Sequence, residues 1–434
     1  LRGLIFAGLV CLIPLTAVPY GTFEPWWKAA FVCAVFGICI LAIVEGVISG
    51  SLYVGPRSIL LPMLALAAFA YFQTVSLGAI DDPGQTGIQP WNAISADPYQ
   101  SRFFVLQILA LTVSLAMLYR YASDERRMRI LIYVVIGVAV ASAIFGMLRQ
   151  TAQQQEIGFA LPLLKRNQGY AQFLNKNHFA YLMEMAFGLG IGLMFTRSLK
   201  RDRLLIYLAL LFPIWLGLVL SNSRGGILAM LAQVIVASLW LLKPRFPVRV
   251  ALLVVMVVAV LLGTLWVGGD KLATNIESAG TDFSGDSSRD GASRNEIWRA
   301  TLKMFAAHPI AGVGFGGYWI GITAFHDASG TLTPQEAHNE YLEVLSSGGV
   351  IGFAIAIWFV VMVVRRLQTN LQSDDGELRA IRVGALLAIA GVVVHSLVDF
   401  GLHMMSNALI FIVLLMLATA SVHKKIIDPS VQQQ

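Results

Sequence analysis

The sequence predicts an all-α fold: a polytopic transmembrane helical bundle of about twelve spans, with a large outer loop carrying short helices. Mean hydropathy is +0.71 over 434 residues. Only 13% of residues are charged and 57% are hydrophobic, against roughly 25% charged in a soluble domain. Apolar stretches close to the ~20 residues that cross a bilayer recur along nearly the whole chain.

The expected spans are about 4–20, 27–48, 59–78, 102–120, 130–149, 178–197, 204–221, 226–242, 250–268, 343–364, 380–398 and 403–422. The first is kept as a span and not a signal peptide, because TAVPYGTF offers no small-x-small cleavage site. The basic loops RYASDERRMR, RSLKRDR, KPRFPVR, RRL and HKK fall in alternate gaps. They share one side if both termini are cytoplasmic, as the positive-inside rule requires.

Three sizeable segments then face outward. Residues 79–101 are turn-rich, residues 150–177 contain LLKRNQGYAQFLNKN, and residues 269–342 form the largest loop. Its Ser-, Gly- and Asp-rich centre, ESAGTDFSGDSSRDGAS, reads as irregular. The whole chain, 1–434, is expected to be one integral membrane domain, with 269–342 capping a site on its outer face.

The net charge of +6 does not argue for nucleic acid, because the basic residues lie in short loops between spans. Cys11, Cys33 and Cys39 all sit in apolar runs and have neither disulfide nor metal-binding spacing. No H-E-x-x-H or paired-carboxylate pattern is present, so neither metal nor cofactor is expected.

The candidate functional residues are basic groups on the outer face, where they oppose the orientation rule: Arg224, Arg289, Arg294, Arg299, Lys165, Arg166 and Lys176. Arg224, in SNSRGGILAM, sits in a turn at a membrane boundary and is followed by two glycines. A guanidinium there can grip phosphate through paired N–H donors; the competing reading is an arginine snorkelling to lipid headgroups. Ser293 and Glu296 have capping-box spacing, so a short helix is expected from Ser293 to Ala307. Ile297, Trp298, Leu302 and Phe305 would form its apolar stripe, and Arg294 would sit in its first turn.

GVGFGGYW (312–319) superficially resembles a phosphate loop but follows no strand, and a tight packing turn explains it better. His338-Asn339 lies at the start of the tenth span, close in sequence to Glu336, Glu340 and Glu343. An imidazole there can accept a hydroxyl proton. His395 and Asp399, spaced i and i+4, form a second polar cluster with His403; function and helix–helix pairing explain that spacing equally well.

Taken in order, NQGYAQFLNKNHFAYL, SNSRGG, Arg294-x-x-x-Trp298 with HPIAGVGFGGY, and HNEYLE followed by SSGGVIGF resemble the bacterial O-antigen ligase and O-antigen polymerase superfamily over residues 160–420. Lys176 stands where the family pattern usually has proline, and Ser347 where it often has glutamate. The resemblance implies a membrane-embedded glycosyltransferase of the GT-C type, inverting and metal-independent, in the bacterial inner membrane with its site facing the periplasm.

The implied donor is a glycan on undecaprenyl pyrophosphate. The implied acceptor is the lipid A–core oligosaccharide for a ligase, or the next repeat unit for a polymerase. A protein acceptor is a third possibility, and membrane lipids are the remaining partners. The family's functional residues carry over to His338, Arg224 and Arg294, with Arg289, Asn339, Arg166, Lys176 and Asn177 as further substrate contacts. A transporter would show paired repeats and broken helices at the midplane, and the sequence offers no convincing repeat.

Overall fold

The computed structural model describes residues 1–76, 92–152, 161, 163–164, 169–194, 201–241, 294–326, 334–373 and 376–421. Among these residues there are helices and turns but no strand beyond two isolated bridges. The helices are α1 (Arg2–Ala17), α2 (Pro25–Ser49), α3 (Arg57–Phe72), α4 (Pro98–Tyr121), α5 (Glu125–Thr151), α6 (Lys176–Met194), α7 (Arg201–Leu220) and α8 (Arg224–Leu241). They continue with α9 (Arg294–Ala307), the single turn α10 (Tyr318–Gly321), α11 (Glu340–Ser373), α12 (Gly376–His395) and α13 (Met405–Thr419).

Among the described residues, α2, α4, α5, α12 and the Glu340–Leu371 part of α11 are long and apolar enough to cross a membrane. Five shorter apolar helices accompany them, within α1, α3, α7, α8 and α13. The expected span at 250–268 and loop residues 269–293 lie outside the described residues. Local signals start the long helices where expected. Proline opens α2 and α4, where its missing N–H removes nothing from the helix. The Asp97 carboxylate accepts from Gln100 N (3.0 Å) and that of Asp124 from Arg127 N (3.0 Å), capping α4 and α5.

The hub of the bundle is α6. Nearly every residue from His178 to Leu193 is buried, as expected of a helix that is apolar all round. It crosses α12 through small residues: Gly188 packs on Ala388 and Gly192 on Gly384, where an added Cβ would meet the Gly384 Cα at 2.2 Å. Close approach through small side chains is how helices associate when lipid offers no hydrophobic gain. The pairing is antiparallel, so the start of α6 adjoins the end of α12. Tyr181 accordingly stacks on His395 with ring centroids 4.1 Å apart.

The described part of the segment expected to form the cap begins with α9, which buries Ile297, Ala300, Thr301 and Met304. Leu302, expected on the apolar stripe, is 47% exposed. The buried face is turned because α9 packs on its own loop, against Val313, Tyr318, Ile322 and Ala337. Thr301 joins that face through a 2.7 Å hydrogen bond with the Tyr318 hydroxyl.

The glycine-rich loop is a packing turn. Val313 N and Gly314 N donate to Ser346 O and Ser347 O at 3.0 and 2.9 Å. Gln73, fully buried, donates to Ala311 O (2.6 Å) and Ser347 O (2.9 Å), and its carbonyl accepts from Phe315 N (3.2 Å). Opposite this turn α11 is interrupted at Gly349 (φ 59°, ψ −163°), a conformation essentially reserved for glycine. The break frees Val350 N and Ile351 N to donate to Pro309 O and Ile310 O at 2.8 and 3.2 Å. The loop and the broken helix satisfy each other's backbone.

Candidate active site

Three helices begin at one cleft. Its lining is Lys176 and Asn177 at the start of α6, Asn222, Arg224 and Gly225 at the start of α8, Arg294 at the start of α9, and His395 and Val398 at the end of α12. Each helix start carries partial positive charge from its unpaired N–H groups, equivalent to roughly half an elementary charge. Three cationic side chains add to that field, and no carboxylate is among the lining residues. Such an arrangement selects an anion.

Lys176 registers the crowding directly. Burial lowers its pKa, and the like charges of Arg224 and Arg294 lower it further. A bound polyanion would relieve that repulsion. Local hydrogen bonds hold the cleft in shape. Asn175 caps α6 through Asn177 N (2.9 Å). Ser223 caps α8 through Gly226 N (3.2 Å) and donates to Asn177 Oδ1 (2.8 Å), which ties the starts of α6 and α8 together. Asn222 takes left-handed backbone (φ 57°), a conformation asparagine tolerates, and so turns α7 sharply into α8.

A second constellation surrounds His338. This residue also has left-handed backbone (φ 49°), at a strain of about 1 kcal/mol for a residue with Cβ. Its Nδ1 lies 3.4 Å from Oδ1 of the buried Asp399, and its ring meets Phe400 edge-on. About a third of the side chain is exposed. Burial opposes ionisation of Asp399, but the hydrogen bond from His338 and the adjoining histidines outweigh it and hold the carboxyl below the usual range.

Backbone contacts tie this site to the cap. Trp298 Nε1 donates to Ala337 O (3.0 Å), while Ala337 N donates to Glu343 Oε2 (3.0 Å). Residue 337 is thus gripped on both sides immediately before His338. Arg294 and Trp298, one turn apart on α9, serve the cleft and the histidine loop respectively.

The other sequence candidates divide. Lys176, Asn177, Arg224 and Arg294 come together in the cleft. Arg166, Arg289, Lys165 and Ser293 lie outside the described residues. Asn339 caps α11 through Tyr341 N and Leu342 N (3.0 and 3.1 Å) and donates to Leu397 O (2.9 Å); its amide supports the loop backbone. The side chains of His395 and Asp399 go to different partners. Helix α12 ends at His395, and the chain then turns, sending Asp399 to His338. His395 Nδ1 instead meets Glu184 Oε2 at 2.8 Å, both side chains fully buried.

The Glu340 and Glu343 carboxylates face His403 at 3.5 Å each. Sequence reasoning missed Gln73 and Glu184. Each is a polar residue within or at the edge of an apolar span, which was the available signal.

Residues 206–357 match the family model described as O-antigen ligase. The resemblance to the O-antigen ligase and polymerase superfamily holds. The matched segment runs from α7 into α11 and takes in Arg224, Arg294 and His338; Lys176, Asn177, His395 and Asp399 fall outside it. No curated protein matches the chain. The match covers about a third of the chain, and five described helices are long and apolar enough to cross a membrane.

Proposed function

We propose that the protein is an O-antigen ligase: it transfers a glycan from undecaprenyl pyrophosphate to the lipid A–core oligosaccharide at the periplasmic face of the inner membrane. The observation that carries this reading is the convergence of three helix N-termini with Lys176, Arg224 and Arg294 on one cleft.

Breaking the bond between the anomeric carbon and the phosphate oxygen leaves negative charge on the departing pyrophosphate. Fixed cations and helix dipoles stabilise that charge without reorganising. His338, oriented by Asp399, contacts the acceptor hydroxyl and takes its proton as the hydroxyl oxygen attacks the anomeric carbon from the opposite face. Attack opposite the leaving group inverts the configuration. No metal is required in this scheme, because the cationic cleft supplies the charge stabilisation.

The test is a transfer reaction with purified protein and undecaprenyl-pyrophosphate-linked glycan, run with EDTA, either with lipid A–core or with donor alone. Glycan on lipid A–core is the expected result. Longer lipid-linked glycans from donor alone would replace the ligase reading with a repeat-unit polymerase. Turnover in neither tube would overturn both.

A further inference from the structure

The pyrophosphate cleft has a buried wall that the resemblance does not assign. His395 is fully buried, yet it lines the cleft, and its Nε2 has no hydrogen-bond partner. A buried imidazole nitrogen left unpaired is costly, by roughly 1–3 kcal/mol, and such groups call for an explanation. The ring is firmly set: Nδ1 is held by Glu184 Oε2 at 2.8 Å, and one face is stacked on Tyr181.

Gly225, the second residue of α8, is what admits the ring. A Cβ there would lie 2.5 Å from His395 Nε2 and Cδ2. The first glycine of the SRGG turn therefore lets the imidazole edge pack directly against the start of α8, next to Arg224.

We propose that His395 is a further contact to the pyrophosphate group of the lipid-linked donor, with Nε2–H as a donor beside Lys176, Arg224 and Arg294. Glu184 is its positioning residue: its carboxyl group holds Nδ1 at 2.8 Å and so fixes the ring with its Nε2 edge toward the cleft. The other ionisable groups around the ring fit this role. Tyr181 on α6 stacks on the ring, and Asp399 on the following turn is engaged by His338. The cleft lining carries Lys176, Arg224 and Arg294 and no carboxylate, so the ligand that completes the hydrogen bonding of Nε2 is an anion. This inference rests on reading the cleft as the pyrophosphate site.

The experiment measures binding of farnesyl pyrophosphate to the purified full-length protein in detergent. His395→Leu should weaken binding about tenfold, the loss of one charge-assisted hydrogen bond. His395→Gln, which places an N–H donor near the Nε2 position, should recover most of it. In wild-type protein carrying 15N-labelled histidine, the His395 Nε2 resonance, assigned by its absence in His395→Gln, should shift on addition of farnesyl pyrophosphate. That reading needs no destabilising substitution.

Arg224→Ala and Arg294→Ala separate the two levels of argument. If both bind like wild type, the cleft is not the pyrophosphate site and the underlying reading fails. If both lose binding while the Nε2 resonance stays fixed and His395→Leu binds normally, the role of His395 alone is overturned.

Discussion

Nδ1 of His338 lies 3.4 Å from Oδ1 of Asp399, a carboxylate buried 61 residues further along the chain. A buried carboxylate behind an imidazole fixes the ring's tautomer and stabilises the imidazolium that forms when the ring accepts a proton, while part of the ring remains open to a hydroxyl.

Removing either partner should abolish most of the transfer. His338→Asn, chosen because asparagine tolerates left-handed backbone, and Asp399→Asn should each lower the rate about 100-fold or more and leave the detergent-solubilised protein monodisperse. Because the folded Asp399 pKa is depressed, its stabilising effect is present above the unfolded value near ~3.9 and is lost as pH falls through the folded one. Thermal unfolding should therefore show no loss from this pair between pH 7 and about pH 5. Near-normal transfer by Asp399→Asn would remove the orienting role.

Lys176 carries the opposite linkage. Burial, then Arg224 and Arg294, depress its pKa, so the unfolded chain holds that proton more readily than the folded one. Its destabilising effect is full below the folded value and fades as pH rises toward the ordinary lysine value of ~10.4. Lys176→Met should raise the unfolding temperature of the ligand-free protein. Farnesyl pyrophosphate should raise that temperature more in wild type than in Lys176→Met, because the anion relieves the repulsion only where it exists. Equal increments in scanning fluorimetry would mean that Lys176 does not sense the ligand.

What the sequence made legible depended on range. The SRGG turn could be read because an arginine at a membrane boundary is conspicuous on its own, and Arg224 does open α8 at the cleft. GVGFGG was readable as a packing turn because no strand precedes it. The partners were not readable. The i, i+4 spacing of His395 and Asp399 suggested a pair on one helix, but α12 stops at His395 and the turn sends the two side chains to different partners. Glu184 meets His395 from 211 residues away, and Gln73 reaches Ala311 across 238. Contacts at such separations follow from the crossing of α6 with α12 and the docking of the cap, which no local pattern encodes.

The Gln73 clasp can be tested by itself. Gln73→Leu keeps an apolar helix end but strands Ala311 O and Phe315 N, which share its amide with Ser347 O, an acceptor that keeps its bond from Gly314 N. Its expected cost is about 2 kcal/mol or more. Gly349→Ala should be worse, since its Cβ would sit 2.3 Å from Ile310 O in a backbone conformation closed to alanine. Limited proteolysis should detect the cap opening in both variants. Wild-type protection of Gly349→Ala would contradict the described break in α11.

His403 offers a stability test on the alkaline side. It sits in the 3-10 turn Gly401–His403, ahead of α13 and not inside it. Burial lowers its pKa, but Glu343 and Glu340, with Glu336 beyond, outweigh that and raise it to about 10. A raised histidine contributes stability that is fully present below the unfolded value near ~6.5 and is lost as pH climbs through the folded one. The unfolding temperature should therefore fall between about pH 7 and pH 10, and His403→Gln should flatten that fall while lowering the temperature at pH 7, because Glu340 and Glu343 then face each other without a cation. A His403→Gln protein that keeps the wild-type slope would show that the alkaline loss arises elsewhere.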